Sequence, residues 1–177
     1  MIGIIVLIVI YTFVTYNSLQ TKKNRVDEAF STMDVYLKKR WDLIPNLVET
    51  VKGYVKHEKD TLEEVIALRN NIYDNLSYND KVNVNSKLTN DISKLMALSE
   101  AYPDLKADKH FQNLSIELSK VEDEIANARK YYNGTIRLLN NKVDMFPSNV
   151  VAKLFGFKSL KMFEANASER ANVSVEL

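Results

Sequence analysis

Met1 to Thr21 carries no charged side chain, and Lys22, Lys23 and Arg25 follow at once. Ile2 to Tyr16 is almost wholly aliphatic and aromatic. A helix rises about 1.5 Å per residue and a bilayer core is about 30 Å thick, so the run to Leu19 or Gln20 is just long enough to cross. Ile2 to Ile10 is apolar all round rather than on one face, which does not suit a helix lying on a soluble core. Tyr11 and Tyr16 lie toward the basic end, where aromatic rings settle at headgroup level. These residues predict a membrane-spanning helix, marked by Ile2, Ile10 and Tyr16.

A secretory signal carries positive charge before its apolar run and a small-residue cleavage site after it. Neither pattern flanks this segment, so it reads as a retained anchor. Positive charge beside a span prefers the cytoplasm. The expected placement is therefore the cell membrane, single-pass, with the N-terminus outside and the domain from residue 22 onward in the cytoplasm. The alternatives are an uncleaved signal-anchor of opposite orientation or a hydrophobic core helix.

The chain beyond the anchor is long enough for one domain with a real core. The absence of cysteine excludes disulfides, zinc–thiolate sites and thiol nucleophiles. A net charge of +1 exerts no general pull on nucleic acid, and none is expected as a partner. Only 4 glycines and 3 prolines occur in 177 residues, which argues against a turn-rich sheet protein and for long helices.

The clearest periodic stretch runs from Phe111 to Phe146. Apolar or small residues recur at Phe111, Leu114, Leu118, Val121, Ile125, Ala128, Tyr132, Ile136, Leu139, Val143 and Phe146, forming one stripe of a long helix. Gly134 lies inside this stripe without breaking its phase, so continuity or a mild kink is expected there. Phe146-Pro147 ends the helix, because a residue before proline is pushed out of the helical region. Nearer the membrane, Val26, Phe30, Met33, Leu37, Trp41 and Ile44 extend the spanning helix. Pro45 interrupts that stripe and predicts a new helix, with Asp42 as its cap and a face continuing through Leu47, Val51, Leu62 and Ile72. Ser77 to Asp80 reads as a turn, and a further helix is expected from Lys81 to Ala101, closed by Tyr102-Pro103-Asp104-Leu105.

The fold class is therefore all-α: one N-terminal transmembrane helix continuing into an antiparallel up-and-down bundle of about four long helices joined by short turns. The expected organisation is an anchor over 1–21, a cytoplasmic bundle over 22–149, an amphipathic aromatic and basic segment over 150–163 and a disordered tail over 164–177. The segment over 150–163 either packs its aromatics on the bundle end or lies on the lipid surface.

Little in the chain suggests a reaction. The histidines, His57 and His110, lack the Glu-x-x-His spacing of a bundle metal site, and Thr61 stands where a His-Glu-x-x-His zinc motif needs its second histidine. There is no glycine-rich phosphate loop. No cofactor, metal or catalytic group is expected. Polar residues on or beside the apolar stripes are Arg40, Asp42, Asn46, Glu49, Glu58, Arg69, Glu122, Arg129 and Asn133. They either specify the bundle by pairing across helices or line a site for a partner or ligand.

Several runs carry a resemblance: Tyr16-Asn17-Ser18-Leu19, the stretch from Leu37 through Leu43-Ile44-Pro45-Asn46-Leu47 to Tyr54, His57-Glu58, Tyr102-Pro103-Asp104-Leu105-Lys106, Ala128-Arg129 with Tyr131-Tyr132-Asn133, and Phe146-Pro147-Ser148-Asn149. The chain resembles the LemA family over nearly its whole length. Trp41 departs from the residue more often found at its place. The resemblance implies a small bacterial protein with one N-terminal span, an outward N-terminus and a cytoplasmic helical bundle, and it implies no established enzymatic activity. The expected role is a membrane-anchored scaffold or adaptor with a protein partner or a second copy of itself. The alternatives are a sensor with a polar pocket around Arg40, Asp42, Asn46, Glu49, Arg129 and Asn133, or a membrane-shaping protein.

Overall fold

The computed structural model describes residues 2–55, 76 and 78–163. They form an all-α helical bundle, with no strand among the described residues. The helices are α1 (Ile2–Lys52), α2 (Tyr78–Ser99), α3 (Pro103–Ala107), α4 (Lys109–Asp144) and α5 (Ser148–Leu154). The expected helix beyond Val55, with Glu58 and Arg69 on it, lies outside the described residues, as does the tail from 164.

The structure corrects the reading at Pro45. No new helix starts there; the proline sits inside an uninterrupted α1. Asp42 is not a cap but an exposed partner of Lys38, one turn earlier, at 2.6 Å. The energetic reason is burial. An interior proline costs about 3 kcal/mol. Ile44, Leu47, Val48 and Val51 are all buried in phase with Leu37 and Trp41. Each such side chain gains roughly 1.5–3 kcal/mol on leaving water, so keeping the face in register outweighs the missing hydrogen bond.

The chain divides into two compact units. The first joins Met1–Asp34 to Ala126–Glu164. Its core takes Leu19, Val26, Ala29 and Met33 from α1, Ile136, Leu139 and Val143 from α4, and Val151 and Ala152 from α5. Phe30 meets Tyr132 edge-on, with ring centroids 6.0 Å apart. Burial, aided by the Asp27 charge, pushes the Tyr132 phenol up to about 12, so it stays neutral as a core ring. The second unit is built around Val35–Ile125. There Leu37, Trp41 and Ile44 share a core with Leu88, Ile92 and Leu95 of α2, Leu105 of α3, and Phe111, Leu118, Val121 and Ile125 of α4.

The α4 stripe is buried in the expected phase, and the helix runs unbroken through Gly134. Phe146 departs from the expectation: it is 81% exposed, because the helix stops at Asp144 and the chain turns at Phe146-Pro147 before α5 begins. The start of α4 is fixed by Asp108, whose Oδ1 accepts the Phe111 backbone N–H at 2.8 Å and so satisfies one of the orphan donors of the first turn. The end of α5 is fixed by Gly156. With φ at 75°, it lets the Phe157 N–H reach back to the Ala152 carbonyl at 2.9 Å, while its own N–H meets Lys153 O at 3.3 Å.

The two glycines predict substitutions of opposite sign. A Cβ on Gly134 would meet nothing within 4 Å, so Gly134→Ala should raise stability by about 1 kcal/mol. Gly156→Ala forces a side chain into the left-handed region and should lower it by about 1–2 kcal/mol. Thermal denaturation of the purified full-length protein in detergent reads both; equal shifts for the two variants would contradict this account of the turn.

Candidate functional site

Arg40 is 0% exposed and bridges three helices. Its Nη1 donates to Glu122 Oε1 at 2.7 Å and Oε2 at 3.0 Å on α4, and to Thr89 Oγ1 at 2.8 Å on α2. Its Nη2 donates to the Asn85 backbone carbonyl at 2.9 Å and to Asn85 Oδ1 at 2.7 Å. Asn85 is itself buried and is oriented by donating from Nδ2 to the Lys81 carbonyl at 2.8 Å. A planar guanidinium suits this task, because it presents several donors in a fixed fork. The sequence placed Arg40 beside the apolar stripe. In fact Met33, Leu37, Arg40, Ile44, Leu47 and Val51 alternate gaps of four and three, and Arg40 occupies a core position of that series.

The other singled-out residues meet different neighbours. Asn46 and Glu49 line an open groove of about 500 Å³ together with Thr50 of α1 and His110, Asn113, Leu114 and Glu117 of α4. Glu117 also pairs with Lys39 at 3.2 Å. Among the described residues, no group of three or more acidic or imidazole side chains has a metal-holding arrangement.

Arg129 and Asn133 belong to the first unit and hold the chain after α5. The Arg129 guanidinium lies 4.5 Å from the centroid of the buried Phe163 ring, a cation–π arrangement. Asn133 Nδ2 donates to Phe163 O at 2.8 Å, and Asn133 Oδ1 accepts the Phe163 N–H at 2.8 Å. Asn140 repeats this with Leu160, donating to its carbonyl at 2.8 Å and accepting its N–H at 2.9 Å. The register is a matter of rise: seven helical residues advance about 10.5 Å and three extended residues about 10 Å. One face of α4 therefore reads every third peptide of an extended strap. Sequence reasoning found Asn133 but not Asn140; their seven-residue separation on α4 was the available signal.

Tyr54, just past the end of α1, donates its hydroxyl to Asp108 Oδ2 at 2.9 Å. Asp108 thereby caps α4 with one oxygen and holds Tyr54 with the other. The Phe111 N–H, and then the Tyr54 hydroxyl, keep the Asp108 carboxyl below its ordinary range. The same hydrogen bond to the carboxylate raises the Tyr54 phenol.

These contacts set two expectations. Removing Glu122 strands a desolvated guanidinium, so Glu122→Ala should cost about 3 kcal/mol, whereas Arg40→Leu, which puts an apolar side chain in a core position, should cost less. Chemical denaturation of the full chain measures both; a reversed order would remove Arg40 as a buried charge in need of compensation. The second expectation concerns pH. A depressed carboxyl contributes stability above its unfolded pKa of about 3.9 and loses it as pH falls through the lower folded value. Asp108→Asn keeps an accepting oxygen for the cap but cannot titrate. Its melting temperature should therefore fall less steeply than the parent's on acidification below about pH 4.

A sequence profile of the LemA family matches residues 29–177. Protein LemA of Metamycoplasma hominis is 28% identical over 158 residues, which span 89% of this chain and 72% of that protein. Magnetosome proteins MamQ 1 and MamQ 2 of Paramagnetospirillum magneticum are each 31% identical over 75 residues, or 42% of this chain and 28% of theirs. LemA is not known as an enzyme family. The profile begins after the apolar opening stretch, so the case for a membrane span rests on that stretch's own residues. With its profile spanning most of the sequence and a relative aligned along nearly all of it, the chain belongs to the LemA family.

Proposed function

We propose that this LemA-family protein is a non-enzymatic, membrane-anchored scaffold or adaptor. It would cross the cell membrane once, with its N-terminus outside, and hold its helical units at the cytoplasmic face for a protein partner or a second copy. The observation that carries this reading is the bare surface of the α1 opening. Its apolar window has a mean hydropathy of 2.0 and only 11% of it is buried by protein. A core helix of a soluble protein would be covered; this one needs lipid to cover it. The basic cluster at Lys22, Lys23 and Arg25 supports a cytoplasmic location for the residues beyond it.

A docking face for the partner is supported by α4. Tyr131 and Leu138 are exposed and lie on one side of the helix with Gly134 between them. Nothing inside the protein needs a glycine there, since a side chain would meet open space. A bare backbone flanked by an aromatic and an aliphatic residue suits the close approach of another helix. Crosslinking from a photoreactive residue at position 131 in native membranes should capture protein. Leu138→Asp should cut that capture roughly tenfold or more, the scale of losing a buried apolar anchor. Recovery of only monomer and lipid sinks the adaptor reading.

A further inference from the structure

We propose that the segment from Met145 to Met162 is a second membrane contact, lying in the headgroup layer of the cytoplasmic leaflet against the base of the α1 span. This rests on the proposed anchoring of α1 in the bilayer.

Depth is the first support. Lys22, Lys23 and Arg25 mark the cytoplasmic edge of the span. Counting back at about 1.5 Å per residue, Leu19 lies about 5 Å inside that edge and Thr15 about 10 Å inside. Both are nonetheless buried by protein, unlike the exposed run from Ile2 to Ile10. Between them, the Tyr16 ring contacts Phe155 at 4.8 Å and Phe157 at 5.9 Å between centroids. The end of α5 and its glycine turn are thus held at the depth where headgroups meet acyl chains. Amphipathic segments occupy this layer, burying an apolar face about 5–10 Å deep.

Surface chemistry is the second support. Phe146 and Leu154 are 81% and 74% exposed, and Val150, Leu160 and Met162 are exposed with them. Residues 145–163 contain Lys153, Lys158 and Lys161 and no acidic side chain. All three lysines are exposed. Apolar surface of this kind marks an interaction site. Aliphatic and aromatic tips interleaved with exposed lysines match an anionic bilayer surface, with acyl chains for the former and headgroups for the latter. Continuity with the uncovered opening of α1 makes lipid the occupant, because the same bilayer that covers Ile10 and Val14 borders the segment packed on Tyr16.

The absence of cysteine makes the test clean, since one introduced thiol labels one site. Full-length protein is reconstituted in vesicles of phosphatidylcholine and phosphatidylglycerol. An environment-sensitive fluorophore is placed on Phe146→Cys, Leu154→Cys, Ile8→Cys in the span, or Ser31→Cys on the exposed side of α1 beyond the basic edge. The expected result is a several-fold lower quenching by aqueous iodide at positions 146 and 154 than at 31, with strong quenching by lipids that carry a nitroxide near the headgroup. If position 8 is quenched by lipid while 146 and 154 behave like 31, this inference is overturned and the anchor stands. Protection from iodide without quenching by lipid means that protein covers the segment, which also overturns it. Iodide access at position 8 instead removes the anchor, and with it the premise.

Discussion

An aliphatic helix without a protein cover is tolerable only where water is absent. Ile2, Ile4, Ile5, Leu7, Ile8 and Ile10 stand exposed on the opening turns of α1. At roughly 1.5–3 kcal/mol for each side chain taken from water, covering these six gains on the order of 10 kcal/mol. No surface ion pair among the described residues approaches that figure, since such pairs contribute about 1 kcal/mol at most. In the proposed membrane placement this term is the largest, and the basic residues at the end of the run would set only the direction. The same helix then changes character without a break, from a surface apolar on all sides to a single buried stripe at Val26, Ala29 and Met33.

Beyond the apolar opening of α1, polar groups sit inside the packing. Apolar stripes on long helices can slide by a turn with modest loss, because one aliphatic layer resembles the next. Arg40 cannot slide. Its donors are matched to Glu122, Thr89 and both oxygens of Asn85, and a one-turn shift would leave a buried charge uncompensated. We propose that this buried ionic group adds little net stability and instead selects which layers face each other. Tyr54 and Asp108 act similarly at the other edge of the second unit, joining the end of α1 to the first turn of α4.

The features legible in the sequence were those that depend on period and length. The long apolar opening helix, the all-helical class and the α4 stripe through Gly134 come from residue composition and spacing alone, because each is a property a helix carries by itself. Pro45 misled because a local rule was applied where the surrounding core decides: four buried neighbours outweigh one missing hydrogen bond. Arg40, Asn46, Glu49, Arg129 and Asn133 were identifiable as polar residues near apolar stripes, but not their partners. Glu122 lies more than eighty positions beyond Arg40, and Phe163 thirty beyond Asn133, so no local pattern links them. The strap was legible only as an aromatic, lysine-rich stretch, since its path is set by amides on another element.

The asparagine pairs have one more consequence. Asn133 and Asn140 grip the strap through its peptide groups, and a peptide group is the same whatever side chain it bears. Recognition of this sort is blind to residue identity at Leu160 and constrains only spacing. The strap can therefore be held firmly while the outward chemistry of Leu160, Lys161 and Met162 drifts to suit its surroundings, with fastening and display assigned to different atoms of the same residues.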